Sequence, residues 1–197
     1  MKRIGIFGGS FDPVHLAHVA LARTALEQLH LDAVRWIPAG RQWQKTRALT
    51  AATHRAAMVE LAIAGEPRFT IDRCEIDRNG ASYTYDTVRE LQAAQPGAQW
   101  TLIIGQDQYA GLHTWLGWEK LLERVTLAVA NRPGASLEAS PEVARVDHEA
   151  VALPMMDISS TDIRARVAAG QSVDALVPVA VARYIDQHHL YRGTHGS

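Results

Sequence analysis

Short apolar runs alternate along the chain with longer stretches whose apolar residues recur three and four apart. The runs Arg3–Gly8, Ala33–Pro38, Phe69–Ile76, Trp100–Gly105 and Thr126–Ala130, with a weaker one at Ala150–Leu153, predict strands. The stretches between them predict helices. Leu16–Leu29 sets Val19, Ala22, Leu26 and Leu29 on one stripe, and Thr50–Ala64 ends at Gly65, a common helix stop. Thr84–Ala94 follows Ser82-Tyr83-Thr84 and stops before Pro96, Trp115–Arg124 precedes the fifth strand, and Thr161–Ala169 stops at Gly170. Val179–His188 has Pro178 near its first turn, where the missing N–H costs nothing. This alternation predicts an α/β fold with an open, mostly parallel sheet covered by helices on both faces. Residues 1–192 are expected to form one domain, Asn131–Ala144 a surface loop, and residues 193–197 a disordered tail.

Composition narrows the ligand more than the fold. The 197 residues are 47% hydrophobic and 21% charged, with a net charge of −1, and no face carries a dense Lys/Arg run. A protein that neutralises many phosphates of a long nucleic acid shows a basic stripe, so a small anionic ligand is the better expectation. The single cysteine, Cys74, lies in the third predicted strand and excludes an intramolecular disulfide framework. Neither a signal peptide nor a membrane-length apolar segment is visible, which predicts a cytoplasmic protein with no membrane partner.

Two segments carry candidate chemistry. The first strand runs into Gly8-Gly9-Ser10-Phe11-Asp12-Pro13-Val14-His15-Leu16-Ala17-His18, neither a Walker loop nor a GxGxxG turn. Paired glycines let the backbone approach a ligand, and His15 and His18 share one face at a helix start that favours anions. The same residues also read as a Gly-Gly turn with two surface histidines. A metal pair is a third reading, but it lacks a Cys/His partner cluster. The second segment is Ile158-Ser159-Ser160-Thr161-Asp162-Ile163-Arg164. Ser159 or Ser160 suits a helix N-cap, and N–H groups, hydroxyls and the Arg164 guanidinium could meet one anion there. Alone, it is equally a capped helix with a solvated arginine. Together, the two helix starts could face each other across a triphosphate.

The Gly8–His18 segment resembles the (H/T)xGH motif of the nucleotidyltransferase superfamily, and Ile158–Arg164 resembles its ISSTxIR motif. Ser82-Tyr83-Thr84-Tyr85-Asp86-Thr87, Gly105-Gln106-Asp107 followed by Thr114-Trp115, Arg132-Pro133-Gly134, and Tyr184-Ile185 with Leu190-Tyr191 are similar to segments of bacterial nicotinate-nucleotide adenylyltransferases. The resemblance spans almost the whole chain. Two departures stand out: Ala17 replaces the glycine between the histidines, and Arg41-Gln42-Trp43-Gln44-Lys45 replaces a common Pro-Pro-His-Lys sequence.

The resemblance implies a nucleotidyltransferase fold and transfer of AMP from ATP to nicotinic acid mononucleotide, with pyrophosphate leaving. It implies catalysis by His15, His18 and Arg164, and ATP contacts from Gly8, Gly9, Ser10, Phe11, Lys45, Gly105, Asp107, Ser160 and Thr161. A buried structural cap is the other reading of Asp107. Ser82, Tyr83 and Thr84 would meet the pyridine carboxylate and Trp115 would stack on the ring, although a tryptophan at helix spacing is also a common core residue. Mg²⁺ would arrive with ATP rather than at a protein site. The expected partners are the two small substrates, with no nucleic acid, and the expected state is a monomer or small homo-oligomer. A phosphopantetheine-type adenylyltransferase and a non-catalytic nucleotide-binding module are the competing readings.

Overall fold

The computed structural model describes residues 1–40, 49–131, 139–153 and 156–193. Six strands form one sheet: β1 (Arg3–Gly9), β2 (Ala33–Pro38), β3 (Phe69–Ile71), β4 (Gln99–Ile104), β5 (Thr126–Asn131) and β6 (Glu149–Ala152). Their order is β3-β2-β1-β4-β5-β6 and every pairing is parallel. This is the doubly wound arrangement, with its topological switch between β1 and β4.

Helices α1 (Leu16–Gln28), α2 (Ala52–Ile63), α7 (Ser160–Ala168) and α8 (Val179–Gln187) contribute to the core on one face. Helices α4 (Thr84–Ala94), α5 (Gln106–Ala110) and α6 (Trp118–Leu122) contribute to the core on the other, and the four-residue α3 (Cys74–Asp77) follows β3. Strand periodicity sorts the side chains: Ile4 and Ile6 enter one core and Phe7 the other, while Leu102 and Ile104 oppose Ile103. The outer edge of β6 is partly covered by Gln28, whose side-chain amide donates to the Ala150 carbonyl (2.7 Å) and accepts from the Ala152 N–H (3.2 Å). It occupies bonds that another strand could otherwise take.

Several expected elements change. The third strand stops at Ile71, because the Asp72 carboxylate accepts the Cys74 N–H (3.0 Å) and turns the chain into α3. Cys74 is therefore helical, and burial first, with Asp72 nearby, pushes its thiol up to about 12. The predicted Trp115–Arg124 helix begins only at Trp118. Trp115 is extended and Gly117 is left-handed (φ 70°), so no helix passes through them. Residues after β4 coil into α5, unforeseen in the sequence, where the Gln108 side chain accepts the Gly105 N–H (3.1 Å). The expected surface loop is partly core, since Val143 is fully buried in a short 3-10 turn. Its residues 132–138 lie outside the described residues, as do Lys45 within 41–48 and residues 194–197 of the expected tail. Among the described residues, no helix is long and apolar enough to cross a membrane.

Candidate active site

The switch point opens into a cleft of about 360 Å³ beyond the ends of β1 and β4. Gly8, Gly9 and Ser10 line one side, and Ser82, Tyr83, Thr84 and Trp115 line the other. A Cβ at Gly8 would make only an ordinary contact, with the Ile37 carbonyl at 3.9 Å, whereas one at Gly9 would press on the Phe11 ring at 3.1 Å. Phe11 differs from its neighbours. The residue is 2% exposed and its ring packs edge-on to Phe7 and His18, so it supports the loop from behind and does not line the cleft.

His15 ends the loop as the N-cap of α1, and His18 lies one turn on. The His15 N–H donates to His18 Nδ1 (3.1 Å), so neutral His18 carries its proton on Nε2. The two rings stack with centroids 3.6 Å apart. Burial lowers His15 to about 4; burial, then His15, hold His18 well below its ordinary value. Both imidazoles are therefore neutral at pH 7 and act as hydrogen-bond donors rather than cations. His15 Nδ1 is buried with no hydrogen-bond partner among the described residues.

Helix α7 closes directly on this loop. Ser159 caps it, accepting the Asp162 N–H (3.1 Å), while the Ser160 hydroxyl donates to the Pro13 carbonyl (2.9 Å). Arg164 donates to the Asp12 carbonyl (2.8 Å) and to Thr161 Oγ1 (3.2 Å). Two helix starts separated by most of the chain thus meet at the end of β1, an arrangement that favours an anion.

On the opposite side of the cleft, Tyr83 precedes α4 as its N-cap, and the Ser82 hydroxyl oxygen is buried without a partner among the described residues. Glu75, on α3, lines the same cleft and was not singled out by its sequence context. It accepts the Thr87 hydroxyl (2.8 Å) and the Gly40 N–H, and burial raises its carboxyl. Arg78 donates to Thr87 Oγ1 (3.3 Å) and to Glu90 (2.7 Å), completing the brace. Gly40 admits no side chain, since a Cβ there would stand 2.0 Å from the Glu75 carbonyl.

Of the expected ligand residues, Phe11, His15, His18, Ser160, Thr161, Arg164, Gly105 and Asp107 are not among the cleft's lining residues, although Gln108 is. Asp107 is exposed in the first turn of α5, which excludes the buried-cap reading. The predicted phosphate contact Lys45 lies outside the described residues. Arg55 was also missed. It is a 2% exposed guanidinium on α2 between core residues, and a charge at a core position is the signal that would have found it. Among the described residues, no group of three or more His, Cys, Asp or Glu could hold a metal ion.

Comparison with known proteins adds an independent line. The cytidylyltransferase-like family model matches residues 6–166. A relative from Methylibium petroleiphilum, named probable nicotinate-nucleotide adenylyltransferase, is 56% identical across 99% of this chain and 95% of its own. A Bordetella petrii relative of the same name is 49% identical, covering 98% of this chain and all of its own. The fold matches a solved Plasmodium falciparum nicotinic acid mononucleotide adenylyltransferase complexed with NaAD, with a TM-score of 0.78 at 20% identity, covering 97% of this chain and 98% of that one.

Proposed function

The chain belongs to the cytidylyltransferase-like family, and from that premise we propose that it transfers AMP from ATP to nicotinic acid mononucleotide. The products are nicotinic acid adenine dinucleotide and pyrophosphate, a step of NAD biosynthesis. High identity to relatives that bear this activity in their names, over nearly the whole of both chains, supports the reading. The observation that carries it in the molecule is the meeting of α7 with the β1 loop beside a cleft lined by Ser82–Thr84 and Trp115.

The mononucleotide phosphate is already an anion, so in-line attack on the α-phosphorus needs no covalent enzyme intermediate. Catalysis is then positioning plus charge stabilisation. Gly8, Gly9, Ser10 and the main chain of Phe11 are proposed to face the triphosphate. His15 and His18 donate neutral N–H groups to oxygens whose charge grows in the transition state. A phosphate oxygen reaching His15 Nδ1, in the tautomer that protonates it, would satisfy a buried atom that otherwise costs about 1–3 kcal/mol. Ser160, Thr161 and Arg164 hold the departing pyrophosphate, with Gly105, Asp107 and Lys45 assigned to the remaining nucleotide contacts. Mg²⁺ keeps several waters and favours substrate phosphates, so it would come with ATP and would supply neutralising charge to its phosphates.

The acceptor ring stacks on Trp115, and its carboxylate takes hydrogen bonds from the Ser82–Thr84 turn at the start of α4, where negative charge is favoured. An amide would bring an NH₂ against those donors. Pyrophosphate release with ATP and either the acid or the amide mononucleotide tests the reading. The acid's kcat/KM should exceed the amide's by at least about a hundredfold. Equal efficiencies would remove the Ser82–Thr84 assignment, and no turnover with the acid would remove the function.

A further inference from the structure

Behind the phosphate loop lies a buried polar knot that none of the proposed ligand contacts uses. Asp12 is 1% exposed. Its Oδ1 accepts the Tyr191 hydroxyl at 2.6 Å, and its Oδ2 accepts the Thr50 N–H at 3.3 Å. Its main-chain carbonyl is the one that anchors Arg164. Arg55 reaches the same loop from α2, donating from Nη1 to the Ser10 carbonyl (2.7 Å) and from Nε to the Thr50 carbonyl (2.9 Å). Phe11, between the two held residues, has φ 47°, a left-handed conformation unfavourable for a side chain of its size. His189 (φ 52°) and Tyr191 (φ 60°) take the same conformation where the chain turns back after α8. Backbone of this kind persists where surrounding bonds over-determine it.

We propose that Tyr191 is a positioning residue for adenylyl transfer: through the buried Asp12 carboxylate it fixes the Ser10–Asp12 main chain and with it the Arg164 guanidinium. The partner atoms lie 179 residues apart in sequence, so the far end of the chain sets the geometry of the loop after the first strand. A buried carboxylate that loses one donor must find another, and the segment it belongs to shifts to supply one. Arg164 is tied to that segment by its carbonyl, so the shift reaches the pyrophosphate contact. The inference rests on the assignment of Arg164 to the leaving pyrophosphate.

Tyr191→Phe keeps the ring and removes the hydroxyl, which donates to Asp12 and also bonds the Thr50 side chain. ATP with Mg²⁺ should bind about tenfold more weakly by calorimetry, the scale of one lost hydrogen bond to a charged group, and kcat should fall by a similar factor. The KM for the acceptor should stay within about twofold, because the brace on the acceptor side is separate. In an Arg164→Ala background the same change should have a smaller further effect on ATP affinity, since only the Ser10–Asp12 main chain remains to transmit it. Wild-type ATP affinity and kcat in Tyr191→Phe overturn the proposal. So does a full additive loss in the double variant, or a drop in Tm with every kinetic constant unchanged. If Tyr191→Phe weakens ATP binding as expected but the wild-type protein never turns over nicotinic acid mononucleotide, the proposed function falls and the Tyr191 assignment at the ATP site stands.

Discussion

The two sides of the cleft are held in different ways. On the triphosphate side, the bonds that fix the site join residues far apart: Ser160 to Pro13 across 147 positions, Arg164 to Asp12 across 152, and Tyr191 to Asp12 across 179. The groups are largely buried, His15 at 6% and Asp12 at 1% exposed. On the acceptor side the brace is local: Glu75 and Arg78 meet Thr87 across 12 and 9 positions, and the participants are mostly half-buried. Loop closure between distant segments requires the whole domain to fold first. The triphosphate side therefore depends on both ends of the chain, while the brace on the other side joins mainly Glu75, Arg78, Thr87 and Glu90, with the Gly40 N–H added from β2's end. On the proposed assignments, the phosphate contacts fall on the side tied by long-range bonds, and the acceptor contacts fall on the side with the shorter-range brace.

The sharpest break in this comparison is His18→Ala. Losing one donor to a developing oxyanion should lower kcat by roughly a hundredfold or more, with acceptor KM little changed. Circular dichroism should stay near wild type, with Tm lowered by only a few degrees for the lost acceptor of the His15 N–H. If the variant instead unfolds and its folded fraction keeps full specific activity, His18 is structural. A second large effect is on stability rather than rate. Folded His15 titrates at about 4, whereas an unfolded histidine takes up its proton near 6.5. Between those values the unfolded state binds more protons, so unfolding free energy rises with pH and is lost on acidification. The drop from 6.5 to 4 corresponds to roughly 3 kcal/mol from this group, levelling off below pH 4. Denaturant midpoints measured across that window should slope less in His15→Asn. Identical slopes would mean that His15 is not held neutral by burial.

The same contrast explains what could be read from residues alone. β1 and α1 are visible because a buried strand and an amphipathic helix leave periodic patterns, and the His15/His18 and Ser160/Arg164 groups because their chemistry is concentrated in short segments. Strand β3 looks longer than it is because the Asp72 turn that ends it is a single side-chain bond, weightless in any hydrophobic pattern. The helix expected from Trp115 fails on one left-handed glycine. Asp12 stood inside a recognised motif, yet its partner Tyr191 is a tertiary contact with no spacing signature. Thr87, by contrast, lies next to Asp86 in the segment already suspected, and only its hydroxyl's partner was hidden.

Arg164 separates a bound leaving group from a merely structural arginine. Arg164→Ala should weaken ATP and pyrophosphate together by about ten- to a hundredfold, the range of a charge-assisted contact, and leave mononucleotide binding intact. Lysine restores a charge but not a planar fork, so Arg164→Lys should recover only part of the loss. Pyrophosphate-exchange kinetics read both substrates at once. Full activity in the lysine variant would show that the two-pronged contact with Asp12 and Thr161 has no functional weight.

The smallest effect is expected on the acceptor side. Thr87→Val keeps shape and volume close but removes the hydroxyl that donates to Glu75 and accepts from Arg78. Thr87 is 2% exposed, so Glu75 loses a donor it cannot replace from water at that position. The Gly40 N–H remains, which limits the damage. The first turn of α4 should loosen rather than unfold, and the Ser82–Thr84 donors drift from the acceptor carboxylate. A loss of one buried hydrogen bond is worth about 1 kcal/mol, or roughly five- to tenfold. That loss should appear as a higher KM for nicotinic acid mononucleotide and a smaller preference for acid over amide, at unchanged KM for ATP. Thr87→Ser retains the hydroxyl and should restore most of both. If Thr87→Val instead raises the KM for ATP as much as that for the acceptor, the two sides of the cleft are mechanically coupled and the division between them does not hold.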